Sequence, residues 1–260
     1  MNHPIAENPY TGWKDRLRQY RRRQIKTLGR FLIHALSRLM ARQSLIGDTP
    51  VFASSVFPWT AELETDWYKI RTELEAILTT RDQLPSFHEL SPDQKRISKG
   101  DHWKTFVFYV FGDRIDSNCA RCPDTARLLE RVPHLRNAWF SILSPRYHIP
   151  PHQGPTNGVI RLHLGLIIPK DRDRCWIRVD KEYLHWDEGK CIVFDDFFEH
   201  EVRNNTDEQR VVLFFDVDRP MRPVGRLVNK WLIAAIKRSA YVQDAHKNLQ
   251  AWERRTRTGD

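Results

Sequence analysis

Apolar positions three and four apart open the chain. Between residues 16 and 42, Leu17, Leu28, Phe31, Leu32, Ala35 and Leu39 fall on one face of a helix, and Arg16, Arg23, Lys26, Arg30 and His34 fall opposite. The Gly-Asp-Thr-Pro run at 47–50 closes that segment. Residues 60–79 repeat the helical spacing through Leu63, Trp67, Ile70, Leu74 and Ile77, and 82–100 read as a polar loop. From 104 onward the period shortens. KTFVFYVFG (104–112), AWFSILS (138–144), IRLHLGLII (160–168), CWIRV (175–179), CIVF (191–194) and RVVLFFDV (210–217) are short and rich in aromatic or β-branched residues, as strands are. One helix, 123–131, interrupts them. Helical spacing returns over 224–252, with Leu227, Trp231, Ala235 and Val242 on one stripe. The pattern divides the chain into a helical segment (1–48), a mainly β domain of the sandwich or jelly-roll kind (49–222) and a C-terminal helix (223–260). No internal repeat or low-complexity tract is visible.

Charge sharpens this division. Residues 1–45 hold ten Lys/Arg against two acids, and residues 219–260 hold ten against three. With a net charge of +9 for the whole, the stretch between them is acidic. A mildly acidic body with two basic ends suits a polyanionic surface, membrane or nucleic acid. No run of apolar residues is long enough to span a bilayer, and the N-terminus does not read as a secretory leader. Four cysteines are too few for a disulfide scaffold, so a reducing, cytoplasmic setting is expected. Cys119 and Cys122 form a CxxC without two further ligands at close spacing, which reads as packing rather than zinc. Trp103 and the strand after it read as core.

Two of the eleven histidines stand out. His152 follows Pro150-Pro151 and precedes a strand, and His200 ends the run VFDDFFEH, a strand followed by a turn. Two imidazoles from separate strands can converge on Fe, Zn or Cu. On spacing alone, two unrelated histidines are the stronger reading. Arginine adds weight. Arg161 and His163 lie two apart in an apolar strand and so share one face. Arg210 opens another apolar strand. Inward cations call for an anion, such as a small dicarboxylate held by the guanidinium fork. The plainer alternative is an ion pair with Asp195, Asp216 or Asp218.

The run 141–221 resembles the aspartyl/asparaginyl β-hydroxylase family of Fe(II)- and 2-oxoglutarate-dependent oxygenases. The resemblance rests on PHQGPTNGVIRLHLGLIIP (151–169), the W-x-E-G-K at 186–190, VFDDFFEHEVRN (193–204) and Arg210, with NCARCPDTARLLERVP (118–133) upstream. It implies a double-stranded β-helix with flanking helices. It implies iron held by His152 and His200 alone, with Gly154 where related oxygenases carry a carboxylate. It further implies that Arg161 and His163 hold the 1-carboxylate of 2-oxoglutarate, that Ser141 and Arg210 hold the distal one, and that O2 is the co-reactant. Asp196 would orient a water at the iron, or else cap the turn before His200.

The stretch LFFDVDRPM (213–221), followed by a basic apolar helix, is similar to the bacterial lipid hydroxylases of the same family. With the charged ends this favours a lipid acyl chain as substrate, and an anionic membrane surface as partner of both terminal helices, on the cytoplasmic face. Hydroxylation of Asp or Asn residues, or of a small amino-acid-like molecule, is the alternative. A reading of another class, a non-catalytic jelly-roll module whose basic ends grip nucleic acid, is weaker because every matched site residue is present.

Overall fold

Strands form where the sequence alternates or runs apolar, and their pairing builds two facing sheets. The computed structural model describes residues 36–258, beginning with a helical stretch at 36–43 (α1) and the two-residue strand β1 (Val51–Phe52). Helices α2 (Thr60–Thr65), α3 (Trp67–Leu78) and α4 (Phe87–Leu90) follow. The strands β2 (Trp103–Val110) and β3 (Asp113–Arg114) make a hairpin ahead of α5 (Asp116–Arg121) and α6 (Pro123–Glu130). Then come β4 (Leu135–Leu143), β5 (Tyr147–His152), β6 (Val159–Ile167), β7 (Cys175–Val179), β8 (Glu182–Leu184), β9 (Cys191–Phe194), β10 (His200–Asn204) and β11 (Arg210–Asp218). Helices α7 (Pro223–Lys237) and α8 (Ala240–Thr258) complete the described chain.

One sheet runs β1-β9-β6-β11-β4-β2-β3 and the other β5-β10-β7-β8. From β4 to β11 the chain passes back and forth between them, so the expected double-stranded β-helix with flanking helices is what forms. Side-chain alternation fixes which residues face the inside. In the paired strands β6 and β11, Leu162, Leu164, Leu213 and Phe215 point to the outer face of the larger sheet, where the helices cover them. Arg161, His163, Phe214 and Asp216 take the opposite face, toward the smaller sheet. Both faces of these strands are buried, which is why they read as apolar runs carrying isolated polar residues.

Three expectations need revision. The segment 82–100 is no plain polar loop, because Ser86 and Glu89 make a reciprocal capping box that starts α4 and seats Phe87 and Leu90 on the core. The helix expected over 224–252 is two helices, broken at Arg238-Ser239. Its expected stripe does not pack as one. Val242 is buried, whereas Leu227 and Trp231 are exposed, at 58% and 68%. The buried face of α7 is Gly225, Asn229 and Ile233 instead. A side chain at Gly225 would overlap Gln43, and Asn229 donates to the carbonyl of Gly158 (2.8 Å), so a close backbone approach chose the small and polar face. Of the N-terminal helix expected at 16–42, all but the last turns lie outside the described residues.

Candidate active site

His152 ends β5 and His200 begins β10, and antiparallel pairing sets them directly opposite each other. Their ring centroids are 4.1 Å apart. Each ring is oriented by its own backbone: Nδ1 of His152 lies 2.9 Å from the carbonyl oxygen of Pro150, and Nδ1 of His200 lies 3.0 Å from that of Phe198. A proton on Nδ1, donated to a carbonyl, leaves Nε2 with a free lone pair, the state a metal ligand needs. Burial lowers His152 to about 4 and His200 well below the ordinary imidazole value, so both are neutral near pH 7. Among the described residues no group of three or more His, Cys, Asp or Glu could hold a metal. What the strands bring together here is a pair of imidazoles, His152 and His200.

Gly154 has a steric reason to be glycine. A Cβ at this position would overlap the carboxylate of Asp196, whose backbone oxygen accepts from Gly154 N (2.7 Å). Asp196 is buried, and its carboxylate lies 2.8 Å from Arg161 Nη2. Neither of its oxygens accepts a well-aligned hydrogen bond from the described protein. Burial raises its carboxyl against the pull of Arg161. The alternative expected for it, capping the turn before His200, belongs to its neighbour, since Asp195 Oδ1 accepts from Phe197 N (3.0 Å). Gly154→Ala is expected to push Asp196 aside and cost about 1–3 kcal/mol of stability, as overpacking does. Chemical denaturation measures this, and an unchanged midpoint would show that Asp196 simply rotates away. Gly154→Asp is expected to lower turnover rather than raise it, because the added carboxylate meets one already there.

Of the four remaining candidates, Arg161 lies among carboxylates, His163 and Arg210 lie around Trp186, and Ser141 stands apart. Arg161 stacks on Phe214, 4.2 Å from the ring centre, with Nε 2.9 Å from Asp216 and Nη2 close to Asp196. The ion pair with Asp216 is thus the right reading of part of its environment. Asp195 and Asp218 are engaged elsewhere, by Arg219 and Arg136 respectively. His163 and Arg210 form the second group, around Trp186. Trp186 Nε1 donates to His163 Nδ1 (3.3 Å), which leaves the proton on His163 Nε2. That Nε2 has no partner among the described residues. Arg210, 1% exposed, lies 4.7 Å from the centre of the Trp186 ring, and its Nε and Nη1 are also without hydrogen-bond partners. Burial lowers its pKa to about 10. Buried donors left unpaired are costly, so a buried cation beside an N–H donor has the chemistry of an anion site. Ser141, on β4 beside β11, stands apart, its hydroxyl accepting from Trp103 Nε1 (3.0 Å).

A cleft of about 1150 Å³, its mouth included, opens beside His152, Arg161 and Asp196. Its far walls are apolar: Phe87 and Leu90 from α4, Trp139 from β4, Ile233 from α7, Val242 and Leu249 from α8. Sequence reasoning missed these, because no local signal says that helices so far apart in the chain share a cavity. Trp103, read as core, is both core and cleft wall. The CxxC cysteines are buried and free, and burial pushes the Cys122 thiol up to about 12, as packing requires.

The model of the family described as aspartyl/asparaginyl β-hydroxylase matches residues 64–220. An ornithine lipid ester-linked acyl 2-hydroxylase of Rhizobium tropici is 42% identical over 217 residues, 84% of this chain and 77% of that protein. The human aspartyl/asparaginyl beta-hydroxylase is 38% identical over 163 residues, 61% of this chain but 21% of that protein, so the chain spans about a fifth of its length. Among solved structures, an oxidoreductase of the 2OG-Fe(II) oxygenase family from Burkholderia pseudomallei aligns over 46% of this chain and 66% of its own, at 14% identity and a TM-score of 0.36. With the matched stretch running from the end of α2 through β11 and taking in both histidines, this chain belongs to the aspartyl/asparaginyl β-hydroxylase family of hydroxylases.

Proposed function

We propose that this protein is an Fe(II)- and 2-oxoglutarate-dependent dioxygenase that hydroxylates an unactivated C–H bond in the acyl chain of a membrane lipid. His152 and His200 would hold the iron through Nε2. Arg161 and His163 would take the 1-carboxylate of 2-oxoglutarate, and Ser141 and Arg210 the distal one, with Nε2 of His163 and Nε and Nη1 of Arg210 as the unpaired donors. Once bound, iron, 2-oxoglutarate and O2 would supply the oxidation, in which one oxygen atom enters the substrate and the other the cosubstrate as it loses CO2. The protein's own part is geometric and electrostatic. The two sheets bury His163, His200 and Arg210, the backbone carbonyls of Pro150 and Phe198 keep Nε2 of each histidine deprotonated, and Trp186 keeps the His163 proton on Nε2.

The observation that carries the lipid reading is the wall of the cleft. Beyond His152 its lining is mostly aliphatic and aromatic, with Ser91, Gln94, Thr105 and Asn137 set among the apolar residues, and such a wall suits a hydrocarbon better than an acidic or amide side chain. The name of the rhizobial relative agrees with that choice. The test is to supply Fe(II) and 2-oxoglutarate under air, with lipid extract in one arm and Asp- or Asn-containing peptides in the other. Succinate formed together with a +16 Da lipid is the expected result. A +16 Da peptide with unchanged lipid would transfer the assignment to the protein-hydroxylating branch, and no oxygen-dependent succinate in either arm would reject the enzyme reading.

A further inference from the structure

Helix α7 buries one face, small and polar apart from Ile233, and leaves an apolar one uncovered. Gly225, Asn229 and Ile233 turn inward, with Ile233 reaching the cleft. On the opposite side Val224, Leu227 and Trp231 are exposed, at 57%, 58% and 68%. Their spacing of three and four residues aligns them in one stripe. Only four other large hydrophobic side chains are exposed among the described residues, and those are scattered along the chain. Arg226 and Lys230 stand one residue before Leu227 and Trp231, along one side of the stripe, and Arg222 is the N-cap; all three are exposed and without an ion pair among the described residues. No acidic residue occurs from Pro220 through Gln243.

We propose that this face of α7 docks on an anionic phospholipid surface, with Val224, Leu227 and Trp231 entering the boundary between headgroups and acyl chains and the three cations meeting the phosphates. An apolar stripe bordered by basic residues is what a helix lying in that boundary presents. Charge complementarity selects the occupant. A second copy of the chain would bring the same cations against these, whereas an anionic leaflet attracts every one of them. Because α7 also walls the cleft with Ile233, docking would hold the cleft within about one helix diameter, roughly 10 Å, of the lipid. The proposal goes beyond the hydroxylase reading and does not depend on which molecule is hydroxylated.

The experiment is flotation of the full chain with vesicles of phosphatidylcholine, with and without added phosphatidylglycerol, in the absence of iron and 2-oxoglutarate. Wild type is expected to float with the mixed vesicles and not with pure phosphatidylcholine, and added salt should release it. The triple variant Val224→Ser, Leu227→Ser, Trp231→Ser should lose at least tenfold in affinity with an unchanged melting temperature, since all three side chains are exposed. The variant Arg222→Glu, Arg226→Glu, Lys230→Glu should lose about a hundredfold, and it carries the test alone if the serine variant does not fold. Wild-type binding that either folded variant retains in full overturns the proposal, as does a wild type that binds neither vesicle. A wild-type dimer in sedimentation, dissolved by the serine substitutions, would assign the stripe to a second copy instead. None of these outcomes depends on turnover, so a failed hydroxylation assay leaves the result standing.

Discussion

Arg210→Ala is expected to weaken 2-oxoglutarate binding by roughly thirtyfold to several thousandfold, the counterpart of the about 2–5 kcal/mol lost when a buried charge pair is broken on one side. The expectation follows from what the guanidinium lacks. It is buried, rests against Trp186, and leaves Nε and Nη1 without a hydrogen-bond partner among the described residues. A protein keeps so costly an arrangement where a ligand completes it. A second readout has the opposite sign. Arg210→Met keeps most of the volume and removes the buried charge, so the ligand-free protein should melt at the same temperature or higher while cosubstrate binding is lost. Calorimetric titration and a melting curve on each variant measure the two effects. Unchanged titration by either variant would remove Arg210 from the site. A large drop in melting temperature for the methionine variant would mark the cation as structural.

His200→Ala should abolish stoichiometric metal binding, and His152→Ala should do the same, because each takes one of only two imidazoles from the pair. Losing a ligand outright should exceed the 10–100-fold that loss of a ligand's supporting partner costs. Titration with Fe(II) under exclusion of air, or with Co(II) followed by its absorption bands, reads the outcome directly. His148→Ala is the control. His148 lies on the same strand β5 but points to Glu201, with Nε2 2.8 Å from its carboxylate, so its loss should leave the stoichiometry unchanged. Metal binding that survives in both single variants would refute the pair as the metal site. Equal loss in the control would point to general damage in the smaller sheet.

Much of this was legible in the order of residues. Short strands from 104 to 217 signal an all-β core, and strand alternation places Arg161 and His163 on a common face without any knowledge of the fold. It was the family resemblance that made the histidines a pair, but the surroundings of His152, after two prolines, and of His200, after a strand and turn, single them out among eleven. These are local signals, and local signals survive in sequence because backbone geometry fixes their period.

What lies between distant segments did not survive in that way. Glycine at 154 reads from sequence as a vacant ligand position, yet the space is filled by the carboxylate of Asp196, forty-two residues later. Arg161 and Arg210 look alike as cations opening or crossing apolar strands. Only their neighbours separate them, two carboxylates around the first and none hydrogen-bonded to Nε or Nη1 of the second. Helical periodicity places Leu227 and Trp231 on a stripe, but α7 has apolar residues on two sides. Periodicity says that a stripe exists, not which side meets the core. Contact with Gln43 and Gly158 decided that, turning Gly225 and Asn229 inward and leaving Trp231 outside. The sequence by itself therefore determined most of the larger sheet and its inward and outward residues, and singled out the two histidines, but not α4, the break between α7 and α8, or the strands β5 and β10 that carry those histidines. The tertiary structure alone decided which charges are compensated, which apolar helix face is left uncovered, and that α4, α7 and α8 close one cleft, because each of these depends on close approach between segments that no local repeat encodes.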